Sequence, residues 1–163
     1  MIILPKNTKT LIIFMGVFVF NFNILNSQPK NTNFSLSQNL DSNVQFDLFY
    51  YDEDIADTYA RELSLILSNE LSLRNVSINY PVDFKEIKNS DIISVNDYAS
   101  KNQGNIILYV NSQSSSTRNN IKGFIYLNNK LIGSFSSHRT IWNNNRLIAL
   151  GEFLAQEISK KSK

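Results

Sequence analysis

The chain has 163 residues, of which 42% are hydrophobic and none is cysteine. This length suits one domain with its own core, and the lack of cysteine excludes disulfides, thiolate metal ligands and cysteine nucleophiles. There are 16 basic and 14 acidic residues, but Lys6 and Lys9 lie in an N-terminal leader, so the remainder is charge-neutral and has no electrostatic reason to bind nucleic acid.

Residues 1–27 have the pattern of a secretory signal peptide. Lys6 and Lys9 precede an uninterrupted apolar run, Leu11–Phe20, and the small residue Ser27 is soon followed by Pro29. The run is shorter than the roughly 20 apolar residues that a membrane-spanning helix needs. We therefore predict cleavage near Ser27 and export to the periplasm or the extracellular space. The alternative is an uncleaved leader, which would be the only contact with a membrane.

The mature chain is predicted to begin with a flexible segment, residues 28–44, which is rich in Asn, Ser, Gln and Thr and orders only where it docks. A single α/β domain follows over residues 45–163. It opens with an aromatic-rich strand, Phe46–Tyr51. The acidic residues after this strand, Asp52 to Asp54, suit the positive N-terminal end of a helix.

The first predicted helix is the clearest element, because its apolar residues recur at three- and four-residue spacing. Alternating residues over Asn75–Tyr80 then predict a second strand, which Pro81 closes or marks as a sheet edge. Residues 82–88 are ambiguous. The apolar face of the helix consists of Ile55, Tyr59, Leu63, Ile66, Leu67 and Leu71.

A second helix is predicted to begin at Ser90 or Asp91 and to stop at Gly104. The compact apolar run that follows, Asn105–Asn111, indicates a buried central strand. The Ser- and Asn-rich residues 112–120 are predicted to form a loop.

The last part of the chain is predicted to contain a hairpin and a helix. Asn128-Asn129 separates the strands Lys122–Leu127 and Lys130–Ser136, and Asn tolerates the positive φ that a tight hairpin turn needs. Asn143 or Asn144 caps the final helix. The resulting order is β-α-β-α-β-β-β-α. This order predicts an α/β (α+β) two-layer sandwich, with about three helices on one face of a mixed sheet of about five strands.

Few residues offer catalytic chemistry. His138 is the only histidine, and as a general base it would need a nucleophile such as Ser136 or Ser137 and an orienting acid. The neighbouring residues also fit a solvated strand end. Trp142, beside a polar loop, is predicted to be exposed as a contact residue. We therefore predict no catalytic residues. As candidates for a binding surface we propose Ser136, His138, Arg139 and Trp142.

The acidic cluster after the first strand could hold calcium through Asp52, Asp54 and Asp57, whose spacing is two to three residues. The alternative, that these carboxylates complement a helix dipole, is the better supported of the two. We therefore predict no metal site and no cofactor.

The segment from Asp91 to Val110 resembles the helix-to-strand passage in the N-terminal domains of TolB-like and curli-secretion-like proteins. The segment from Phe124 to Phe135, followed by Arg139 and a helix, is similar to the end of a curli assembly factor. The chain departs from the comparison in two ways: it lacks the lipidated cysteine of the lipoprotein members, and the curli assembly factor lacks the helix and strand that we predict over Asp91–Asn111. The resemblance implies a non-enzymatic partner of an envelope or fibre-export machine and transfers no site residues.

The sequence therefore favours an exported, non-catalytic binding or assembly module that acts through protein–protein contacts with a partner in the cell envelope. An unpaired sheet edge and the Ser136–Trp142 segment are its expected contact surface. The rival hypothesis is a small exported hydrolase that uses His138 with a nearby serine. Neither hypothesis specifies an oligomeric state.

Overall fold

The fold is a six-stranded mixed sheet with two helices, as seen in a computed structural model that describes residues 29–52, 59–84, 106–115, 118–139 and 141–162. The elements in chain order are β1 (Thr32–Leu36), β2 (Phe46–Asp52), α1 (Tyr59–Leu73), β3 (Val82–Asp83), β4 (Ile106–Ser115), β5 (Arg118–Leu127), β6 (Lys130–Arg139) and α2 (Asn144–Ser159).

The strands lie in the order β1-β6-β5-β4-β2-β3. Strand β2 is parallel to both of its neighbours, β3 and β4, while the β4–β5, β5–β6 and β6–β1 pairs are antiparallel. Among the described residues, the N-terminal strand β1 therefore forms one edge of the sheet, at the end farthest from the parallel strands.

The main core lies between one face of the sheet and the two helices. Alternate residues of β2 and β5, such as Phe46, Leu48, Ile121 and Ile125, are buried there with 1% exposure or less. The helices contribute every third or fourth residue to the same core, as their amphipathic sequences require. These helix residues are Leu63, Leu67 and Leu71 in α1 and Leu147, Leu150, Leu154 and Ile158 in α2.

Two glycines allow close packing on this helix-covered face. A methyl group on Gly151 of α2 would lie 2.5 Å from Cγ2 of Ile66, so glycine lets the helices approach each other. On β5, the ring of Phe135 from the neighbouring strand covers Gly123 and occupies the space that a side chain would need. Phe135 itself is 3% exposed. The aromatic ring thus replaces the side chain that Gly123 lacks.

Asparagines end or begin several elements. Asn75, with φ 59°, follows α1, and the Val76 N–H donates to the Leu71 carbonyl in a Schellman-type helix end. Asn128 and Asn129 have φ of 48° and 65°, which confirms the predicted hairpin turn between β5 and β6. The Asn143 side chain accepts a hydrogen bond from the Arg146 N–H, which confirms the predicted cap of the last helix.

The mixed α+β class is confirmed, but the described residues contain six strands instead of five, and two helices. The predicted strand at Asn75–Tyr80 is wrong. Only Ile78 forms a bridge there, to Phe46, and the paired strand is Val82–Asp83. The chain uses Asn75 and Val76 to close α1, so it rejoins the sheet later than the alternation predicted.

The segment 28–44, for which we expected a flexible N-terminus, contains β1, which docks antiparallel on β6. Thr32 is buried on the helix-covered face, and Phe34 and Leu36 pack against the main core there. The predicted loop at residues 112–120 is shorter than expected, because β4 and β5 extend to Ser115 and from Arg118. The leader at 1–27 and the helix predicted from Ser90 or Asp91 to Gly104 lie outside the described residues.

Candidate functional site

The candidate site lies on the face of the sheet opposite the helices, where β1, β6 and β5 run side by side. The antiparallel registers align their side chains in rows across the strands. Asn33, Ser136 and Lys122 form one row, as do Ser35, Ser134 and Phe124. Asn120 and His138 stand opposite each other in a third row. We call these eight residues the open-face patch.

The open-face patch encloses a shallow cavity of about 330 Å³. Its walls are the first two rows together with parts of Phe34 and Phe135. Hydroxyl and amide groups surround one aromatic ring, Phe124, and one ammonium group, Lys122. Polar groups that can both donate and accept, placed beside an apolar surface, suit recognition of a neutral or weakly anionic polar partner.

His138 lies in the third row and is half-buried. Its Nδ1 lies 2.5 Å from the Asn120 Oδ1, and its backbone N–H donates to the Asn31 carbonyl at 3.1 Å. An amide oxygen bonded to Nδ1 fixes the orientation of the imidazole, but it supplies none of the negative charge that an orienting carboxylate would give in a catalytic triad.

The two serines proposed as nucleophiles lie on opposite faces of β6. Ser136 shares the open face with His138 and lines the cavity. Ser137 is fully buried on the helix-covered face, where its Oγ lies 2.7 Å from the Thr32 Oγ1. Alternation along the strand therefore separates Ser137 from the imidazole of His138.

The remaining two predicted contact residues are not part of the open-face patch. Arg139 lies two residues after Ser137 in β6, so strand alternation places it on the helix-covered face. Its Nε is buried and has no hydrogen-bond partner among the described residues. The prediction that Trp142 is exposed is wrong, because the side chain is 4% exposed and belongs to the main core. Trp142 lies just before the cap residue Asn143, and Leu147 lies four residues after Asn143. A hydrophobic staple places two apolar residues at these positions.

Sequence reasoning missed six of the eight residues of the patch and proposed only Ser136 and His138. Asn33 and Ser35 fell within a segment predicted to be flexible, and Lys122 and Phe124 were treated only as strand residues. The signal that could have found them is the alternation of Thr32, Phe34 and Leu36 with polar residues, which is the period of a half-buried strand.

A second concavity, of about 260 Å³, lies at the other edge of the sheet between β3 and α1. Tyr50, Arg61 and Asp83 line it, and the nearby Tyr80 is 75% exposed. Arg61 and Asp83 both take part in further interactions. This concavity combines both signs of charge, unlike the open-face patch.

No metal-binding group of three or more His, Asp or Glu residues occurs in the part of the chain that the structure describes. The calcium hypothesis depends on Asp54 and Asp57, which lie outside the described residues, so it stays untested. Neither described helix combines the length and apolarity needed to cross a membrane.

The chain has similar folds among solved structures. No protein-family model matches the chain, and a comparison with curated proteins finds no match either. Among solved structures, the chain is similar to a PelC dodecamer from Paraburkholderia phytofirmans, with a TM-score of 0.51 and 9% identity over 81% of this chain and 97% of that one. A single-substitution variant of that PelC matches with a TM-score of 0.50 and the same identity. These neighbours establish the fold.

Proposed function

We propose that this chain is an exported, non-catalytic assembly module that binds protein partners in the cell envelope through the open-face patch and the adjoining edge strand β1. The observation that carries the proposal is the position of the patch: a polar concave surface borders a sheet edge formed by a short, uncharged strand. An edge strand offers backbone hydrogen bonds to a partner, and neighbouring side chains supply specificity.

The fold neighbours support the same class of function. Both solved structures are PelC dodecamers, so the fold exists in a protein that assembles from many copies. The resemblance to TolB-like and curli-secretion-like proteins implies an envelope or fibre-export partner as well. A role in curli-type fibre export is proposed from that resemblance alone, because the solved structures with a similar fold are PelC.

The proposal is tested by placing a photo-crosslinking amino acid at Ser136, inside the cavity, in cells that export the protein. The matched control position is Glu62, which is exposed on α1. We expect a discrete crosslinked product from Ser136 and none from Glu62. No product from Ser136, or the same products from both positions, would contradict binding through the patch.

Lys122 tests the chemistry of the contact. It is the one side chain of the patch with a permanent charge, so Lys122→Glu should weaken the crosslink from Ser136 strongly. Lys130→Glu makes the same charge change on the exposed hairpin between β5 and β6 and serves as the control. If the two variants weaken the crosslink equally, the net charge of the protein, and not a specific contact of Lys122, causes the effect.

The hydrolase hypothesis makes a different prediction. If His138 activates Ser136, the purified protein should cleave activated esters, and both His138→Ala and Ser136→Ala should abolish that activity. We expect no activity that depends on either residue, because the Nδ1 partner of His138 is the amide of Asn120. Loss of a measurable activity in both variants would replace the binding proposal with the catalytic one.

Export is tested by determining the N-terminus of the protein recovered from the cell envelope or the medium. Cleavage near Ser27 would support a signal peptide, and an intact leader would support the membrane-anchored alternative.

A further inference from the structure

Three polar side chains of the open-face patch stand side by side in one row across β1, β6 and β5. The antiparallel registers align Asn33 with Ser136, and Ser136 with Lys122. Directly opposed residues of an antiparallel pair have Cβ atoms about 4.5–5.5 Å apart, so neighbouring side chains of the row can contact the same bound group. We call Asn33, Ser136 and Lys122 the donor row, because each side chain can donate hydrogen bonds.

The donor row lines the cavity, and its side chains form no hydrogen bond or ion pair within the part of the chain that the structure describes. Other polar pairs of the same sheet do bond across the strands. The Ser137 Oγ lies 2.7 Å from the Thr32 Oγ1, and the His138 Nδ1 lies 2.5 Å from the Asn120 Oδ1. The donors of the row are therefore available to a group that enters the cavity.

The charge of the cavity comes from one residue. Among the described residues that line it, Lys122 is the one with a charged side chain, and none is acidic. Lys122 is half-buried, so its ammonium group favours an anionic ligand that no lining side chain replaces. A polyanion such as a nucleic acid is bound by several cations. The cavity therefore suits a ligand group with a single negative charge.

We propose that the donor row binds the carboxylate of an acidic side chain, Asp or Glu, on the partner protein. A carboxylate has two oxygens with about four lone-pair sites, which match the amide N–H groups of Asn33, the hydroxyl of Ser136 and the ammonium of Lys122. Hydrogen bonds between ionised groups are stronger than neutral ones. The inference rests on the proposed function, since it names the chemical group by which that partner enters the same cavity.

The size and lining of the cavity agree with a single side chain as the occupant. Its volume of about 330 Å³ is at the low end of the range for small-molecule sites. Phe124 and parts of Phe34 and Phe135 form its apolar wall. An Asp or Glu side chain combines a short apolar stem, which can contact this wall, with a carboxylate at its end. A sugar acid could supply the same carboxylate, and the experiment distinguishes the two sources.

A carbodiimide experiment detects the contact directly. This reagent activates a carboxylate, a lysine Nζ in contact with it attacks the activated carbon, and an amide forms with release of the reagent as a urea. Cells that express the full-length sequence are treated with a water-soluble carbodiimide, and the linked peptides are identified by mass spectrometry. We expect an amide between Lys122 and an Asp or Glu side chain of another protein.

Variants of Lys122 separate binding from coupling. Binding is followed by a photo-crosslinking amino acid at Ser134, which lines the cavity and leaves the donor row intact. Lys122→Arg keeps the positive charge but loses the amine, so the carbodiimide product should disappear while the photo-crosslink stays within about twofold. Lys122→Gln removes the charge and should lower the photo-crosslink by about tenfold.

The matched controls are Lys130→Arg and Lys130→Gln, on the exposed hairpin between β5 and β6. Neither should change the Lys122 amide or the photo-crosslink from Ser134. Thermal unfolding of all four variants shows that each is folded. A loss of the photo-crosslink in Lys130→Gln as large as in Lys122→Gln would overturn the specific contact.

The outcomes distinguish this inference from the proposed function. If the Ser134 photo-crosslink is unchanged in Lys122→Gln and no amide forms at Lys122, the carboxylate contact is wrong and binding through the patch stands. An amide between Lys122 and a sugar acid would overturn the choice of a protein carboxylate. If neither Ser134 nor Ser136 gives a photo-crosslinked protein, the proposed function is wrong and the inference falls with it.

Discussion

The two faces of the sheet differ in what their residues do. On the helix-covered face, glycine, aliphatic and aromatic residues fill the space between the sheet and the helices, and Gly123 and Gly151 give room to Phe135 and Ile66. On the open face of β1, β6 and β5, small polar residues surround a cavity. The comparison indicates that the main core lies on the helix-covered face, while the other face combines a small apolar cluster around Phe49 and Tyr126 with the polar groups of the open-face patch.

The largest expected effect concerns the helix-covered face. Leu150→Ala removes a fully buried side chain from α2 and should lower the free energy of unfolding by about 2–5 kcal/mol. Ser134→Ala changes the open face and should alter it by about 0.5 kcal/mol or less. Urea denaturation measures both. Similar losses in the two variants would refute the division between the faces.

The contact between Gly123 and Phe135 gives the next effect. Gly123→Ala places a methyl group where the Phe135 ring lies and should cost about 1–3 kcal/mol of unfolding free energy. The double variant Gly123→Ala/Phe135→Leu relieves the overlap, so its loss should be smaller than the sum of the two single losses. Additive losses, measured in the same denaturation series, would show that the ring does not cover the glycine closely.

Part of this fold could be predicted from the sequence. Local chemistry predicted the Asn128-Asn129 turn and the Asn143 cap correctly, because an asparagine side chain or a positive φ acts within a few residues. The buried positions of Leu63, Leu67 and Leu71 also followed from helical spacing alone.

The features that sequence reasoning missed depend on distant parts of the chain. Strand β1 has only five residues, and its order comes from docking on β6 about 100 residues later. Trp142 was predicted to be exposed because polar residues follow it, but its burial depends on how α2 returns to the sheet. The open-face patch arises from the registers of three strands, which a single sequence does not reveal.

The turn between β5 and β6 is expected to contribute to stability through its local backbone conformation. Asn129 has φ 65°, so Asn129→Ala should cost about 1–2 kcal/mol because alanine adopts this conformation poorly. Asn129→Gly is the control and should be close to neutral, since glycine accepts positive φ. Both values come from thermal and urea unfolding. An alanine variant as stable as the glycine variant would mean that the turn changes its conformation.

Loss of the α2 cap, on the helix-covered side, should lower the free energy of unfolding slightly less. Asn143→Ala removes the side-chain acceptor for the Arg146 N–H and should cost about 1 kcal/mol. Asn145→Ala, at an exposed position in the first turn, should leave stability nearly unchanged or raise it, because alanine favours the helix. Equal losses would show that the cap contributes little to holding the helix on the core.

The smallest expected change in stability should accompany the largest loss of binding. In the double variant Ser136→Ala/Lys122→Gln, both residues line the cavity and neither belongs to the main core, so unfolding free energy should stay within about 0.5 kcal/mol. The same variant removes a hydroxyl group and the permanent charge of the patch, so partner crosslinking from the neighbouring Ser134 position should fall sharply. Stability unchanged with binding lost would separate the two faces by function as well as by composition. A variant that loses stability and binding together would show that the open face also holds the fold.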